Sequence, residues 1–249
     1  MTDAPKADRF RALHVRGAPV VLYNIWDAGS AKAVAEAGAA ALATGSWSVA
    51  AAQGYPDGEC LPMDLLLSVV GRIAATVDLP LSVDFESAYA VEPAGVAANV
   101  ARVMATGAIG INFEDGIPGS ADIRPLPLQV QRVAAARTAG AFFLNARTDL
   151  FLTAPAERHA GLLAEAVERG HAFAEAGADG FFVPGIASRD LLARVCEDVP
   201  LPVNAMMTGV LGPAPTLGET GVARISYGPA PYRLTMAELT ARARDLYGN

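Results

Sequence analysis

The sequence predicts an α/β chain folded as one (β/α)8 barrel, a single domain over residues 1–249. Three observations predict it. Short, near-continuously apolar runs recur eight times: 19-PVVLYNIW, 39-AAALATG, 81-LSVDFE, 109-IGINFED, 141-AFFLNARTD, 180-GFFVPG, 202-PVNAMM and 222-VARISYG. Unbroken apolar runs mark parallel strands buried on both faces. Helix-like stretches separate the runs. Polar side chains collect at the C-terminal ends of the runs and are scarce at their starts, and a barrel keeps its chemistry at that end. A doubly wound sheet also alternates, but no G-x-G-x-x-G follows the first run and no G-x-x-x-x-G-K-[ST] occurs.

The elements follow in order. Residues 1–17 form a leader helix ahead of the first run. The first barrel helix starts at Asp27, a natural N-cap, and stops at Gly38. Residues 47–62 read as a long loop with a Pro56-Asp57-Gly58 turn. Further helices are predicted at 63–77, 93–106, 127–139, 156–177, 188–198 and 235–247. The segment 214-APTLGETG holds one or two turns at most. Ala37-Gly38, Thr106-Gly107, Ala139-Gly140 and Ala176-Gly177 repeat a helix–glycine–strand joint typical of βα units. The final helix is amphipathic, and its partner is the barrel or a neighbouring subunit.

The chain is 52% hydrophobic and 18% charged, enough apolar surface for a folded core and too much for disorder. The formal net charge is −7 with no basic run, which argues against nucleic acid as a partner. No apolar stretch reaches the roughly 18–20 residues of a membrane span. Cys60 and Cys196 make no disulfide framework, and the polar N-terminus shows no signal peptide, so the expected compartment is cytoplasmic.

The strand ends carry the candidate chemistry. Asn24, Trp26 and Asp27 end the first run, and Thr44, Gly45 and Ser46 the second. Asp84 and Glu86 stand at i and i+2 of the third, so both side chains are expected on one face of the strand. Asn112, Glu114 and Asp115 end the fourth, with Glu114 alongside that pair. Converging carboxylates call for a cation, and hard oxygen ligands suit Mg2+ or Mn2+; the alternatives are helix caps or arginine partners. Arg147 in N-A-R-T-D suits bidentate grip of a carboxylate or phosphate, or a salt bridge to Asp149 or Asp115. Ser46 could cradle an anion or cap a helix. Asp57 is a turn residue or a further acid at the metal. Asn204 reaches a ligand or neighbouring backbone, and the eighth run carries Arg224 and Ser226. His14, His159 and His171 read as surface or packing residues, and the cysteines as buried, inert thiols.

The V-D-F-E-S-A-Y, G-I-N-F-E-D, N-A-R-T-D and G-Y-P-D-G motifs, in this order and spacing, resemble the isocitrate lyase / phosphoenolpyruvate mutase superfamily over about residues 10–230. The resemblance implies a (β/α)8 barrel, often tetrameric, with its last helix exchanged between subunits. It implies Mg2+ chemistry on C–C or P–C bonds beside a 2-oxo or 2-hydroxy carboxylate. It implies Asp84 as the nearest metal ligand, with Glu86, Glu114 and Asp57 acting through metal-bound water. Arg147 and the Ser46-Trp47 turn would grip the substrate carboxylate, and Asn204 would reach its far end. The family's strand-3 Asp-x-Asp is Asp84-Phe85-Glu86 here. The loop after the fourth run has none of the family's Cys, Lys or His, and its polar side chains are Ser120, Asp122 and Arg124. The sixth run ends Phe182-Val183-Pro184-Gly185, without the family's Glu.

The expected function is Mg2+-dependent C–C cleavage, by decarboxylation or retro-aldol, of small 2-oxo or 2-hydroxy di- or tricarboxylates. Arg147, Glu114 and Asp57 are the catalytic candidates. Tyr89, Asp115 or a metal-bound water is the candidate base for a retro-aldol step. Alternatives are a phosphonopyruvate- or oxaloacetate-type hydrolase or mutase, and a non-catalytic 2-oxo acid binding protein. A homodimer or homotetramer is expected.

Overall fold

The computed structural model describes residues 3–248. Helix α1 (Ala4–Ala12) leads into β1 (Val20–Leu22), α2 (Ala28–Glu36), β2 (Leu42–Ala43), α3 (Ser46–Ala52), α4 (Met63–Thr76) and β3 (Leu81–Asp84). Then come α5 (Pro93–Met104), β4 (Gly110–Glu114), α6 (Leu126–Arg137), β5 (Phe143–Arg147), α7 (Leu150–Thr153), α8 (His159–Glu175) and β6 (Gly180–Phe182). The chain ends with α9 (Arg189–Asp198), β7 (Val203–Met206), α10 (Ala214–Leu217), β8 (Arg224–Ser226) and α11 (Ala230–Tyr247).

All eight strands are parallel and belong to one sheet, in the order β1-β8-β7-β6-β5-β4-β3-β2. A further parallel bridge, Ile25 to Thr44, joins the C-terminal ends of β1 and β2 and brings the sheet round to a nearly closed barrel. This is the predicted (β/α)8 architecture. The four glycine joints behave as read: Gly38, Gly107, Gly140 and Gly177 all have positive φ, between +94° and +134°. The Asp27 cap is present too, its carboxylate accepting the Ser30 N–H at 2.7 Å in a reciprocal capping box.

Two apolar layers hold the barrel. Outward strand residues such as Val83, Ile111, Leu144 and Ile225 pack against Val70, Ile73, Val100, Val133 and Phe173 of the helices. Inside, Phe10 of α1 plugs the N-terminal opening against Val20, Leu22, Ile109 and Phe143. The leader is therefore helical only over 4–12, and its task is to close the bottom of the barrel. His14 continues the plug, its ring stacked on Phe143 at 4.1 Å and its Nδ1 2.8 Å from the Phe10 carbonyl.

Several boundaries differ from expectation. Residues 46–52 are a helix rather than a loop, because the Trp-Ser-Val-Ala-Ala-Ala run buries Ser48, Val49 and Ala50. The predicted helix 156–177 is a 3-10 turn followed by α8, with short α7 ahead of it. Pro155 lacks the N–H that would join the pieces. The last helix begins at Ala230, five residues early, and Pro231 is its one buried side chain.

Candidate active site

A cavity of about 200 Å3 opens at the C-terminal mouth of the barrel, with Ser46, Asp57, Asp84 and Arg147 in its wall. A second, of about 160 Å3, adjoins it beneath the loop after β4 and takes in Glu86, Glu114, Asp149, Ser120 and Asp122. Asp57 and Arg147 face both.

Arg147 is the centre of the charged half. The β4–β5 register sets it beside Glu114. Its Nε donates to Asp149 Oδ1 at 2.6 Å and its Nη2 to Asp149 Oδ2 at 3.2 Å. Its Nη1 lies 2.9 Å from Glu114 Oε2 and 3.8 Å from Asp84 Oδ1. A guanidinium has five N–H donors, so each terminal nitrogen keeps a second N–H for a ligand. Burial opposes the charge, but Glu114, Asp149 and Asp84 together hold Arg147 ionised well above its ordinary pKa. Gly116 makes room for this arrangement: a Cβ there would come within 2.6 Å of Asp149 Oδ2.

Asp84 is fixed from two sides. Its Oδ2 accepts the Ser46 N–H at 3.0 Å. Its Oδ1 accepts from Asn112 Nδ2 at 3.3 Å, and Asn112 Oδ1 accepts from Asn145 Nδ2 at 2.9 Å. Asp84, Asn112 and Asn145 are register partners across β3, β4 and β5, so one row of the sheet builds this relay.

Glu86 departs from the same-face expectation. Strand β3 ends at Asp84, and Glu86 has φ +49°, which turns its side chain away from the first cavity and into the second. Glu86, Ala88 and Tyr89 all hold positive φ, as does Glu59 in the facing loop. Such non-glycine conformations persist only where surrounding contacts impose them. Glu59 imposes these: its Oε1 accepts the N–H groups of Ser87 and Tyr89 at 3.0 and 2.7 Å, and its own N–H donates to Glu86 Oε2 at 2.7 Å. Buried Arg132 grips the same turn from behind, donating to the carbonyls of Ser87 and Ala90 at 2.7 and 2.8 Å.

Burial and then the neighbouring charges of Asp57 and Asp84 push Glu86 up to about 8. Burial and Asp84 likewise raise Asp57. Burial opposes the Glu114 charge as well; Arg147 compensates it, while Asp149, Asp84 and Glu86 add repulsion. Among the described residues, no three His, Cys, Asp or Glu side chains stand close enough to share one ion directly.

The loop after β4 is pinned. Gly116 pairs with Ile123, the Ile117 N–H donates to the Asp122 carbonyl at 3.0 Å, and Arg124 donates to the Gly116 carbonyl. At its base Asp115 is wholly buried, accepting from Arg169 at 3.1 Å and from the Asp149 N–H at 2.9 Å. Burial pushes Asp115 up to about 6 against those bonds. Asp115 and Tyr89 line neither cavity, so neither candidate base faces the site.

Asn204 also departs from its expected position. It is buried below the floor, where its Oδ1 accepts from Ser226 Oγ at 3.1 Å, and it does not line the cavity. Its strand neighbour Arg224 is wholly buried in the lumen, and its guanidinium makes no hydrogen bond within the described residues. Trp47 lines the cavity, with Arg233 stacked 4.4 Å over its ring. Of the histidines, His14 and His159 are buried in packing contacts and His171 bonds the Asp198 carbonyl at 2.9 Å; of the cysteines, Cys196 is buried as expected, while Cys60, in the loop after α3, is exposed. Glu59 and Arg132 were invisible to sequence reading, because a carboxylate or guanidinium that holds a distant turn leaves no local pattern. The Asn112–Asn145 relay did leave a signal: two asparagines of matching parity inside adjacent apolar strands.

Residues 10–247 match the profile of the phosphoenolpyruvate phosphomutase family. The chain belongs to that family. Its relatives include an uncharacterized protein of Mycobacterium tuberculosis (strain ATCC 25618 / H37Rv), 36% identical over 225 residues, which cover 90% of this chain and 83% of the other. The 2-methylisocitrate lyase of Escherichia coli (strain K12) is 29% identical over 80% of this chain and 69% of its own. A Burkholderia cenocepacia J2315 crystal structure, provisionally assigned as a phosphonomutase, superposes with TM-score 0.94 at 46% identity, covering 97% of this chain and 98% of that one. A phosphonopyruvate hydrolase in complex with oxalate and Mg2+ superposes with TM-score 0.83 at 25% identity, covering 98% and 88%. The phosphoenolpyruvate phosphomutase family and its structural neighbours thus include lyases, hydrolases and mutases of small carboxylates.

Proposed function

We propose that this protein is a Mg2+-dependent lyase that breaks a C–C bond of a small 2-oxo or 2-hydroxy carboxylate, by decarboxylation or retro-aldol cleavage. The observation that carries this reading is Arg147: braced by Asp149 and Glu114, it keeps two N–H donors at a cavity whose remaining charge is all carboxylate. A braced guanidinium binds a carboxylate as a fork and loses little freedom in doing so. Ser46 and Trp47 complete that grip.

The donor set fits a hard divalent cation. Asp84, Asp57, Glu86 and Glu114 offer only oxygen, and burial, with repulsion among Asp57, Asp84 and Glu86 added to it, raises both Asp57 and Glu86. No three acids converge, and the family resemblance then implies Asp84 as the protein ligand, with Asp57, Glu86 and Glu114 reached through water. When bound, the ion would supply Lewis-acid stabilisation of negative charge developing on the 2-oxygen of the substrate. Glu114 holds Arg147 in place, and Asp57, facing both cavities, is the group assigned to proton exchange. The working unit is one barrel domain in a reducing cytoplasm, assembled as a homo-oligomer through α11.

The test is product formation from oxaloacetate, isocitrate, 2-methylisocitrate, phosphonopyruvate and 2-oxoglutarate with Mg2+, by wild type and Asp84→Ala. C–C cleavage products that vanish in the variant are expected. Phosphate release from phosphonopyruvate alone would replace the lyase reading with a hydrolase one. Mg2+-dependent binding without turnover on any acid would favour a ligand-holding protein.

A further inference from the structure

The order of strands divides the mouth into two arcs of different chemistry. Ser46 and Asp57 follow β2, Asp84 ends β3 and Arg147 ends β5, and these neighbours carry the cavity's charge. Phe182, whose ring centre lies 5.7 Å from the Arg147 guanidinium carbon, and Pro184 at β6, Met206 on β7 and Pro229 after β8 form the other arc, which starts beside Arg147 and is joined by Leu152 of α7. Among the described residues lining the cavity, Arg147 is the one Lys, Arg or His.

Polar groups beside the apolar arc are largely committed, and what they leave, a second Asn24 amide N–H, is uncharged. Asn24 Oδ1 accepts the N–H groups of Tyr227 and Gly228 at 2.8 and 2.9 Å, and its Nδ2 donates to the Thr44 carbonyl at 2.9 Å. Ser226 Oγ donates to Asn204 Oδ1 at 3.1 Å. Arg233 sits on Trp47 without lining the cavity, and Arg224 is sealed in the lumen. A carboxylate on this arc would lose its water and gain no counter-charge, whereas an alkyl or aryl group there would gain apolar burial. The cavity measures about 200 Å3.

We propose that the acid this site takes carries a single retained carboxylate, gripped by Arg147, and an uncharged apolar group at its far end. The class is a 2-oxo acid with a branched alkyl or aryl substituent beyond C3 and a group that lets the C–C bond break (a C3 carboxylate that departs as CO2, or a 4-hydroxyl whose carbon departs as an aldehyde), rather than an acid with retained carboxylates held at both ends. This rests on the reading of Arg147 as the carboxylate grip.

Calorimetric titration with three ligands in the presence of Mg2+ separates the two claims. Oxalate probes the grip alone. 2-Oxoglutarate and 5-methyl-2-oxohexanoate share chain length and branching, and differ in carrying a far carboxylate or an isopropyl group. Oxalate binding that Arg147→Ala abolishes is expected, with the methyl acid binding at least tenfold more tightly than 2-oxoglutarate. Leu152 is 43% exposed, so Leu152→Arg adds a far cation without disturbing the core, and it is expected to reverse that order. If oxalate binds through Arg147 but 2-oxoglutarate matches or beats the methyl acid in wild type, the substrate class is overturned while the grip stands. If oxalate does not bind, or binds regardless of Arg147, the grip falls and the substrate class with it.

Discussion

Arg147 and Glu59 show how much of this site depends on single side chains held at both ends. Arg147→Lys keeps the charge but loses the fork: one ammonium cannot satisfy Asp149, Glu114 and a ligand carboxylate in fixed directions. The expected result is a fall in kcat/KM of roughly 100-fold or more, near the loss of a preorganised donor, with Tm little changed. Steady-state kinetics beside a melting curve check this. Glu59 has no place in the chemistry and touches only backbone N–H groups and, through its own N–H, Glu86. Glu59→Ala leaves two N–H groups without their acceptor and frees a turn with three positive-φ residues. A stability loss of about 1–3 kcal/mol is expected by urea unfolding, with Glu59→Gln close to wild type because its amide oxygen still accepts.

At the scale of elements, the clearest consequence lies in the α1 plug. His14 is buried against Phe10 and Phe143; burial first, then Arg224 and Arg11, drives its pKa down to about 3, against the Phe10 carbonyl bond. The native state therefore keeps His14 neutral where the unfolded chain protonates it, below about pH 6.5. Its contribution to stability is complete above that pH and is lost as pH falls toward 3. Wild type is expected to lose about 2–3 kcal/mol more than His14→Phe between pH 7.5 and pH 4.5. Urea unfolding of both proteins at the two pH values measures the difference. Equal losses would mean that the plug opens to water. The pinned loop after β4 belongs to the same scale, since Arg124, Asp115 and Arg169 tie its base to α8.

For the whole molecule, α11 is the element the barrel uses least: only its first turn packs on it, through Pro231, Tyr232 and Arg233. Beyond Pro231 it buries no side chain, and Leu234, Leu239, Leu246 and Tyr247 are each more than half exposed. Leu239 and Leu246 lie seven residues apart, on one helix face. A second copy of the chain is the occupant that the family resemblance implies for this face. Light scattering is expected to give a dimer or tetramer, and Leu239→Glu with Leu246→Glu a smaller species. A monomeric wild type would remove the oligomer from this picture. No helix among the described residues is long and apolar enough to cross a membrane, so that face is not part of a helical span.

By itself the sequence determined the barrel and the end of it at which the polar side chains collect. Both follow from local rules: apolar runs buried on two faces, glycine after each helix, and polar residues confined to strand ends. It also singled out Asp57, Asp84, Glu86, Glu114 and Arg147, because each sits in a short motif at a predicted strand end or in the loop after one. Only the tertiary structure decided how these are shared out. One backbone angle at Glu86 sends it to a different cavity from Asp84, and sequence spacing assumes a strand that in fact stops at Asp84. Asn204 dropped below the floor because strand register, which pairs it with Arg224, is a property of two strands together. The Glu59 clamp, the Arg147–Asp149 brace and the division of the mouth into charged and apolar arcs likewise arise from contacts between segments. Such contacts depend on closure of the sheet, and no stretch of chain encodes that closure on its own.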